Sequence, residues 1–377
     1  MEQSEQPQQP ELENQDEEST PILRIPTQTN YWLVRADGGK FYSDFLENEY
    51  IALSHDLITV NEVANLARTS NNGVADVKTL YSMNYPADSS QAVGLRSNQI
   101  KNFIYGMSVN DIVIVPSKQS NSFSLGVITS SAYDESAKKI KRLQARAQAN
   151  ANHTAVCTYI KRRHVLWIKE INKKDLPKGL LWVLSAHEAL FHIKHFDDTK
   201  AIDKLFSPLY IKGDSIHLVI GTNIEQNPTM SQWNAVTSLS EDADINPEAV
   251  SIDIERNSPP TFNFDSKVEE VKQLYSLYKV LKPVLDPTLT GAGFWGSAFF
   301  VWKIIGGKRG KELGLIEWCQ EIYKNHYENK QLKDSYNKMQ KLSKKQQTLK
   351  SLSMYPKANG TLFEHENKPK KSDKDVS

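Results

Sequence analysis

The chain has 377 residues, of which 39% are hydrophobic, enough for two modest domains that each bury a core. Its two cysteines, Cys157 and Cys319, are too few and too far apart for a disulfide framework, which excludes a disulfide-stapled secreted fold and points to a reducing compartment. The formal net charge of +1 hides an uneven placement: residues 1–23 carry seven carboxylates and no Lys or Arg, whereas from Lys303 onward 17 Lys/Arg face 9 Asp/Glu, a basic tail suited to anionic lipid or nucleic acid.

Residues 1–29 are rich in Glu, Gln and Pro and offer too little apolar surface to offset the entropy of ordering, so they read as a disordered acidic tail. They lack the basic and apolar regions of a secretory signal, and the expected location is cytoplasmic. Order is predicted to begin at Tyr31-Trp32-Leu33-Val34, an aromatic and β-branched run that suits a central strand and stops at the turn Ala36-Asp37-Gly38-Gly39. A helix carrying Phe41, Phe45 and Leu46 follows, then an extended run, Tyr50-Ile51-Ala52-Leu53. Beyond a polar stretch rich in Ser and Asn, Ser97 to Tyr105 reads as a short helix. Asp111-Ile112-Val113-Ile114-Val115-Pro116 is apolar enough for a strand buried on both faces, which the proline ends. In the next strand, Phe123 to Thr129, Gly126 predicts a bulge or a close backbone approach. A basic run of Lys138, Lys139, Lys141, Arg142 and Arg146 then precedes one or two strands from Ala155 to Ile171, which carry Lys161-Arg162-Arg163-His164.

Helical periodicity is expected from Leu180 to Phe206. A small β-rich unit follows over residues 206–262: Leu209-Tyr210-Ile211, the turn Lys212-Gly213-Asp214 and Ile216 to Ile220 form a hairpin, and Val250 to Ile254 is a further strand. Residues 263–350 turn helical, starting with Val268, Val271, Leu274, Tyr278 and Leu281 on one face. Within them, residues 287–307 form a glycine-rich apolar segment, of which Pro287 to Trp302 is 16 residues without a charge. With Lys303 snorkelling, this segment reaches the ~20 residues of a membrane span. Gly291, Gly293 and Gly296 would suit close helix approach in a membrane, while a buried hairpin or helix and interfacial association of the flanking helices are the other readings. Residues 351–377 read as a second disordered tail.

The ordered set formed by Tyr31 to Lys40, Asp44 to Asn48, Gly94 to Phe103, Met107 to Lys118, Leu125-Gly126-Val127 and Lys161 to Ile168 resembles the PUA/EVE-like N-terminal domain of Mrr-type restriction proteins. The resemblance covers residues 30–205. It implies an α+β fold whose first domain is a small β-barrel with helices, with strands and loops shaping a pocket for a flipped or modified base. Carried onto this chain, it makes Trp32 and Tyr42 candidates for stacking, Arg35 for a phosphate or bidentate contact, and Ser117 with Lys118 for contacts at the end of the buried strand. The two basic clusters, with Arg162 and Arg163 in the second, would track a phosphate backbone or form a solvated face.

Mrr-type proteins continue into a nuclease domain whose acidic pair and lysine hold a divalent metal and assist the attacking water. No such arrangement is legible here: Arg256 directly follows Asp253 and Glu255, and Glu270-Val271-Lys272 falls on a predicted helix. His187, Glu188, His192, His195 and His217 lack the His-Glu-x-x-His spacing of a zinc helix. No catalytic residue, metal or cofactor is therefore expected. The function expected is a non-enzymatic nucleic-acid or nucleotide-sensing accessory protein of a bacterial antiviral defence or restriction-like system. It would act with a homo-oligomer or partner protein, or at the inner membrane through residues 287–307. A divergent restriction endonuclease acting on modified DNA and a protein-interaction scaffold are the alternatives.

Overall fold

The computed structural model describes residues 22–69, 73–149, 155–183, 186, 188–222, 228–238, 246, 250–255, 261–267, 277, 281, 312–313, 354–356 and 361–362. In chain order they form β1 (Ile22–Ile25), β2 (Tyr31–Val34), α1 (Tyr42–Glu47), β3 (Tyr50–Leu53), α2 (Val60–Thr69), α3 (Gly73–Asn84) and α4 (Ser90–Lys101), which runs on into a π turn, Asn102–Gly106. Next come β4 (Ile112–Pro116), β5 (Ser122–Ile128), β6 (Tyr133–Asp134), α5 (Ala137–Ala149), β7 (Lys161–Asn172), β8 (Leu190–Ile193) and α6 (Phe196–Phe206). The rest are β9 (Leu209–Lys212), β10 (Ser215–Gly221), α7 (Met230–Thr237), β11 (Val250–Glu255), β12 (Thr261–Lys267) and the short β13 (Glu312–Leu313), β14 (Tyr355–Pro356) and β15 (Thr361–Leu362).

Among the described residues the strands form two sheets, so the class is α+β. One runs β11-β12-β10-β9-β1-β13, with β14 also on β10; the other runs β15-β7-β5-β4-β2-β8, with β3 and β6 on β7. Strand β7 curls this second sheet into a half-barrel, because residues 165–172 pair with β5 while residues 161–164 pair with β3. Strand β2 lies parallel to β4, and the connection between them carries α1 to α4, since parallel neighbours need a long crossover.

The period-two alternation of β2 divides the core. Tyr31 and Leu33 enter one cluster with Ile112, Phe123, Leu125 and Ile168, and with Leu209, Ile211, Leu218, Phe262 and Phe264 of the first sheet. Trp32 and Val34 enter the other with Phe45, Tyr50, Tyr81, Phe103, Val113 and Trp167. The boundary expected near residue 205 thus falls inside one continuous apolar cluster that both sheets share.

Two local expectations are corrected. The acidic tail was drawn to residue 29, but Ile22-Leu23-Arg24-Ile25 is strand β1, because its apolar side chains reach the core when it lies parallel to β9. The stretch from Leu180 to Phe206 is not one helix: Leu190–Ile193 pairs antiparallel with β2, and α6 begins afterwards. The polar stretch before residue 90 holds α2 and α3, and α2 opens on a reciprocal cap in which Thr59 and Glu62 bond each other's backbone N–H. Among the described residues no helix is long and apolar enough to cross a membrane, and the segment 287–307 lies outside them.

Gly126 meets its expectation. The β5–β7 register shifts between Leu125 and Gly126, and a Cβ at Gly126 would lie 2.5 Å from Val165 Cγ1 and 2.8 Å from Trp167 Cε3. Gly126→Ala should therefore cost about 1–3 kcal/mol in urea denaturation through overpacking, and a cost near zero would contradict this packing.

Candidate functional site

The parallel pairing of β2 and β4 sets the chain after Arg35 beside the chain after Pro116. Gly39 closes this corner: it has φ +89°, and a Cβ on it would lie 2.4 Å from the Lys118 backbone. Arg35 is half-buried there, with its Nε donating to Ala186 O at 2.7 Å and burial lowering its pKa. Lys118 is exposed, and Ser117 closes the β4–β5 turn by accepting from Ser122 N–H at 3.0 Å. The structure therefore brings together the corner that follows Arg35 and the Ser117-Lys118 turn.

It withdraws the aromatics. Trp32 is 1% exposed, donates Nε1–H to Asp111 Oδ2 at 2.9 Å and stacks on His192 with ring centroids 4.1 Å apart, so a protein ring occupies the place expected for a base. Tyr42 is buried, with its hydroxyl donating to Glu170 Oε1 at 2.9 Å and also bonded to Ser124; burial raises its pKa.

Arg162 and Arg163 are corrected more strongly, because both are buried and spent on backbone carbonyls. Arg163 Nε donates to Phe103 O at 2.7 Å, Nη1 to Ser130 O at 2.9 Å, and Nη2 to Ile104 O at 2.9 Å and Met107 O at 2.8 Å. It caps the carbonyl end of the π turn after α4, where backbone acceptors run out of helical donors. Arg162 donates to Cys157 O at 2.8 Å and Tyr159 O at 3.0 Å, and lies 4.0 Å from the Tyr50 ring centroid. Neighbouring Lys161 donates to His55 O at 2.6 Å and Ile58 O at 2.9 Å, and burial pulls its pKa down to about 8. Of the basic runs, the α5 residues Lys138, Lys141, Arg142 and Arg146 stay exposed, while Lys139 pairs with Glu135 at 2.8 Å.

A second location was not anticipated. Where β9 and β10 meet the edge strand β8 and helix α6, a cleft of about 570 Å³ opens, lined by Tyr31, His192, Lys194, Phe196, Lys200, Asp203, Tyr210, Lys212, Ser215 and His217 among others. It borders the start of β2, four residues or roughly 13 Å of extended chain from Arg35. Two hydrogen-bonded networks build it. In the first, Tyr31 donates its hydroxyl to Asp203, and Lys212 Nζ donates to Asp203 Oδ2 at 2.6 Å and to the Tyr31 hydroxyl oxygen at 2.9 Å. Asp203 is fully buried, and burial lifts its carboxyl above the usual carboxylate range against the pull of Lys212 and Tyr31. In the second, the cross-strand register aligns Tyr210, His217 and Asp265 on β9, β10 and β12. The Tyr210 ring stacks on His217 at 4.7 Å, His217 Nδ1 bonds Asp265 Oδ1 at 2.7 Å, and Lys200 Nζ donates to Asp265 Oδ2 at 3.4 Å. Burial pushes the Asp265 carboxyl up, but His217 and Lys200 outweigh it and hold the pKa below the usual range.

No protein-family model, curated protein or solved structure matches this chain.

Lys200 and Asp203, three apart on α6, face the cleft together, and a carboxylate among the buried Ile202, Leu205 and Phe206 was the legible sign of a polar site against the core. Among the described residues no group of three or more His, Cys, Asp or Glu is placed to hold a metal ion, and His187 lies outside them.

Cys157 is buried, its backbone N–H donates to Asp44 Oδ2 at 2.7 Å, and burial pushes its thiol up to about 12. Alkylation of the native chain near pH 8, about the pKa of a free thiol, should leave the Cys157 peptide unlabelled until urea is added; native labelling seen by mass spectrometry would contradict this placement.

Proposed function

We propose that this chain is a non-enzymatic reader of a nucleic-acid or nucleotide cue, an accessory protein of a bacterial antiviral defence or restriction-like system. Residues 30–205 act as a PUA/EVE-like reader in this reading, and the signal passes to a second copy, a partner protein or the inner membrane through residues 287–307. The observation that carries it is the lining of the cleft between the two sheets, where three lysines, Lys194, Lys200 and Lys212, stand with the half-buried rings of His192 and His217 and the exposed ring of Phe196. Cationic donors next to aromatic faces suit a ligand that joins a planar ring to an anion. The cleft volume of about 570 Å³ suits a small ligand. The exposed basic face of α5 and the corner at Arg35 and Lys118 supply further cationic surface for a polynucleotide.

The test is equilibrium binding of the full chain to mononucleotides and to short single-stranded and duplex oligonucleotides, with and without modified bases, across a salt series. Binding that weakens linearly on a log–log plot against salt is the expected result. No binding to any of them overturns the reading, and magnesium-dependent cleavage abolished by chelator would replace it with the nuclease alternative.

A further inference from the structure

We infer that the cleft holds a phosphate group, on a mononucleotide or within a nucleic-acid backbone, between the ammonium groups of Lys200 and Lys212 and the imidazole of His217. The inference rests on the nucleotide-reader reading and names the part of the ligand that the cleft recognises.

Each of the three groups pairs with a carboxylate: Lys212 with Asp203 at 2.6 Å, His217 with Asp265 at 2.7 Å and Lys200 with the other oxygen of Asp265 at 3.4 Å. Carboxylates paired this way orient their partners, as outer partners orient the ligands of a metal.

An ammonium has three N–H donors; among the described residues Lys212 spends two, on Asp203 and Tyr31, and Lys200 spends one, on a long bond. His217 spends Nδ1 on Asp265 and leaves Nε2, which donates only when the ring carries both protons. All three residues line the same cleft.

Lys194, Lys200 and Lys212 stand against Asp203 and Asp265 there, so positive groups outnumber negative ones before His217 is counted. A phosphate, with several anionic oxygens, accepts from several such donors at once. Phe196, 71% exposed at the rim, offers a face for the ring that a nucleotide carries beside its phosphate.

The experiment titrates the full chain with a 5′-mononucleotide, its nucleoside, inorganic phosphate and a short single-stranded oligonucleotide. Wild type, Lys200→Met, Lys200→Gln and Lys118→Ala are compared, with a thermal melt to confirm folding of each. Lys200 is the residue to change because its side chain is 26% exposed and Asp265 keeps His217 when it is lost. The inference expects the nucleotide to bind about tenfold or more tighter than the nucleoside, phosphate to compete, and both Lys200 variants to remove about tenfold from nucleotide affinity while leaving the nucleoside unchanged. Equal affinities for nucleotide and nucleoside, unaltered at Lys200, overturn it and leave the reader standing. Oligonucleotide binding that is insensitive to Lys200 but weakened in Lys118→Ala likewise overturns it, moving the phosphate to the corner at Arg35. Phosphate bound in a Lys200-dependent way, with neither nucleotide nor oligonucleotide bound, supports the subsite and removes the nucleotide reading.

Discussion

Arg163→Met is expected to lower the unfolding free energy by about 3–5 kcal/mol in urea denaturation. The guanidinium is 2% exposed and donates to the carbonyls of Phe103, Ile104, Met107 and Ser130. Methionine fills similar volume but leaves those acceptors without a donor where water has little access, and each unsatisfied buried acceptor costs about 1–3 kcal/mol. Arg163→Lys should recover a minor part, because an ammonium has three donors and lacks the planar fork that reaches all four carbonyls. A loss below about 1 kcal/mol would show that these carbonyls find water, returning Arg163 to the surface role expected of a phosphate contact.

Lys212→Met should cost a comparable amount, about 3–5 kcal/mol near pH 7, because it strips a buried carboxylate of its cation. The pH dependence separates this cause from lost packing. Asp203 already sits above the usual carboxylate range through burial, and without Lys212 it rises further. A carboxyl with a raised folded pKa contributes stability that is present below its unfolded pKa, about 4, and is lost as pH rises through the folded pKa. The gap between wild type and variant should therefore be small near pH 4 and wide near pH 7. Adding Asp203→Asn should restore part of the loss at neutral pH, since a neutral amide no longer needs the cation. A gap that stays constant with pH would mean that Asp203 does not drive it.

Much of the fold was legible because local chemistry and burial agree. The runs Tyr31–Val34, Ile112–Pro116 and Val250–Glu255 and the Leu209–Lys212/Ser215–Gly221 hairpin are strands, as their β-branched and aromatic residues predict. The failures have physical reasons. Ile22–Ile25 is too short to stand out from an acidic tail and gains its burial from β9, far away in sequence. Leu190–Ile193 lies within a helix-like pattern because strand pairing with β2, which no local period reports, overrides it.

The site was less legible. The corner after Arg35 meets the Ser117-Lys118 turn because a glycine lets the two touch, and that could be anticipated from Gly38-Gly39. Lys161, Arg162 and Arg163 look like a surface run, yet a charge run says nothing of which carbonyls lie nearby: the helix end after α4 consumes Arg163, and loop carbonyls consume Lys161 and Arg162. The cleft escaped because its parts come from β2, β8, α6, β9 and β10, with Asp265 added from β12, and each part read alone is one charge in an apolar segment.

The central claim, that the cleft is where the ligand binds, is tested most directly by hydrogen exchange of the full chain with and without a saturating short single-stranded oligonucleotide. Slowed exchange over residues 27–31, 192–200 and 210–217, which line the cleft, is the predicted result. Slowing confined to residues 35–41 and 117–121, the corner at Arg35 and Lys118, would contradict it.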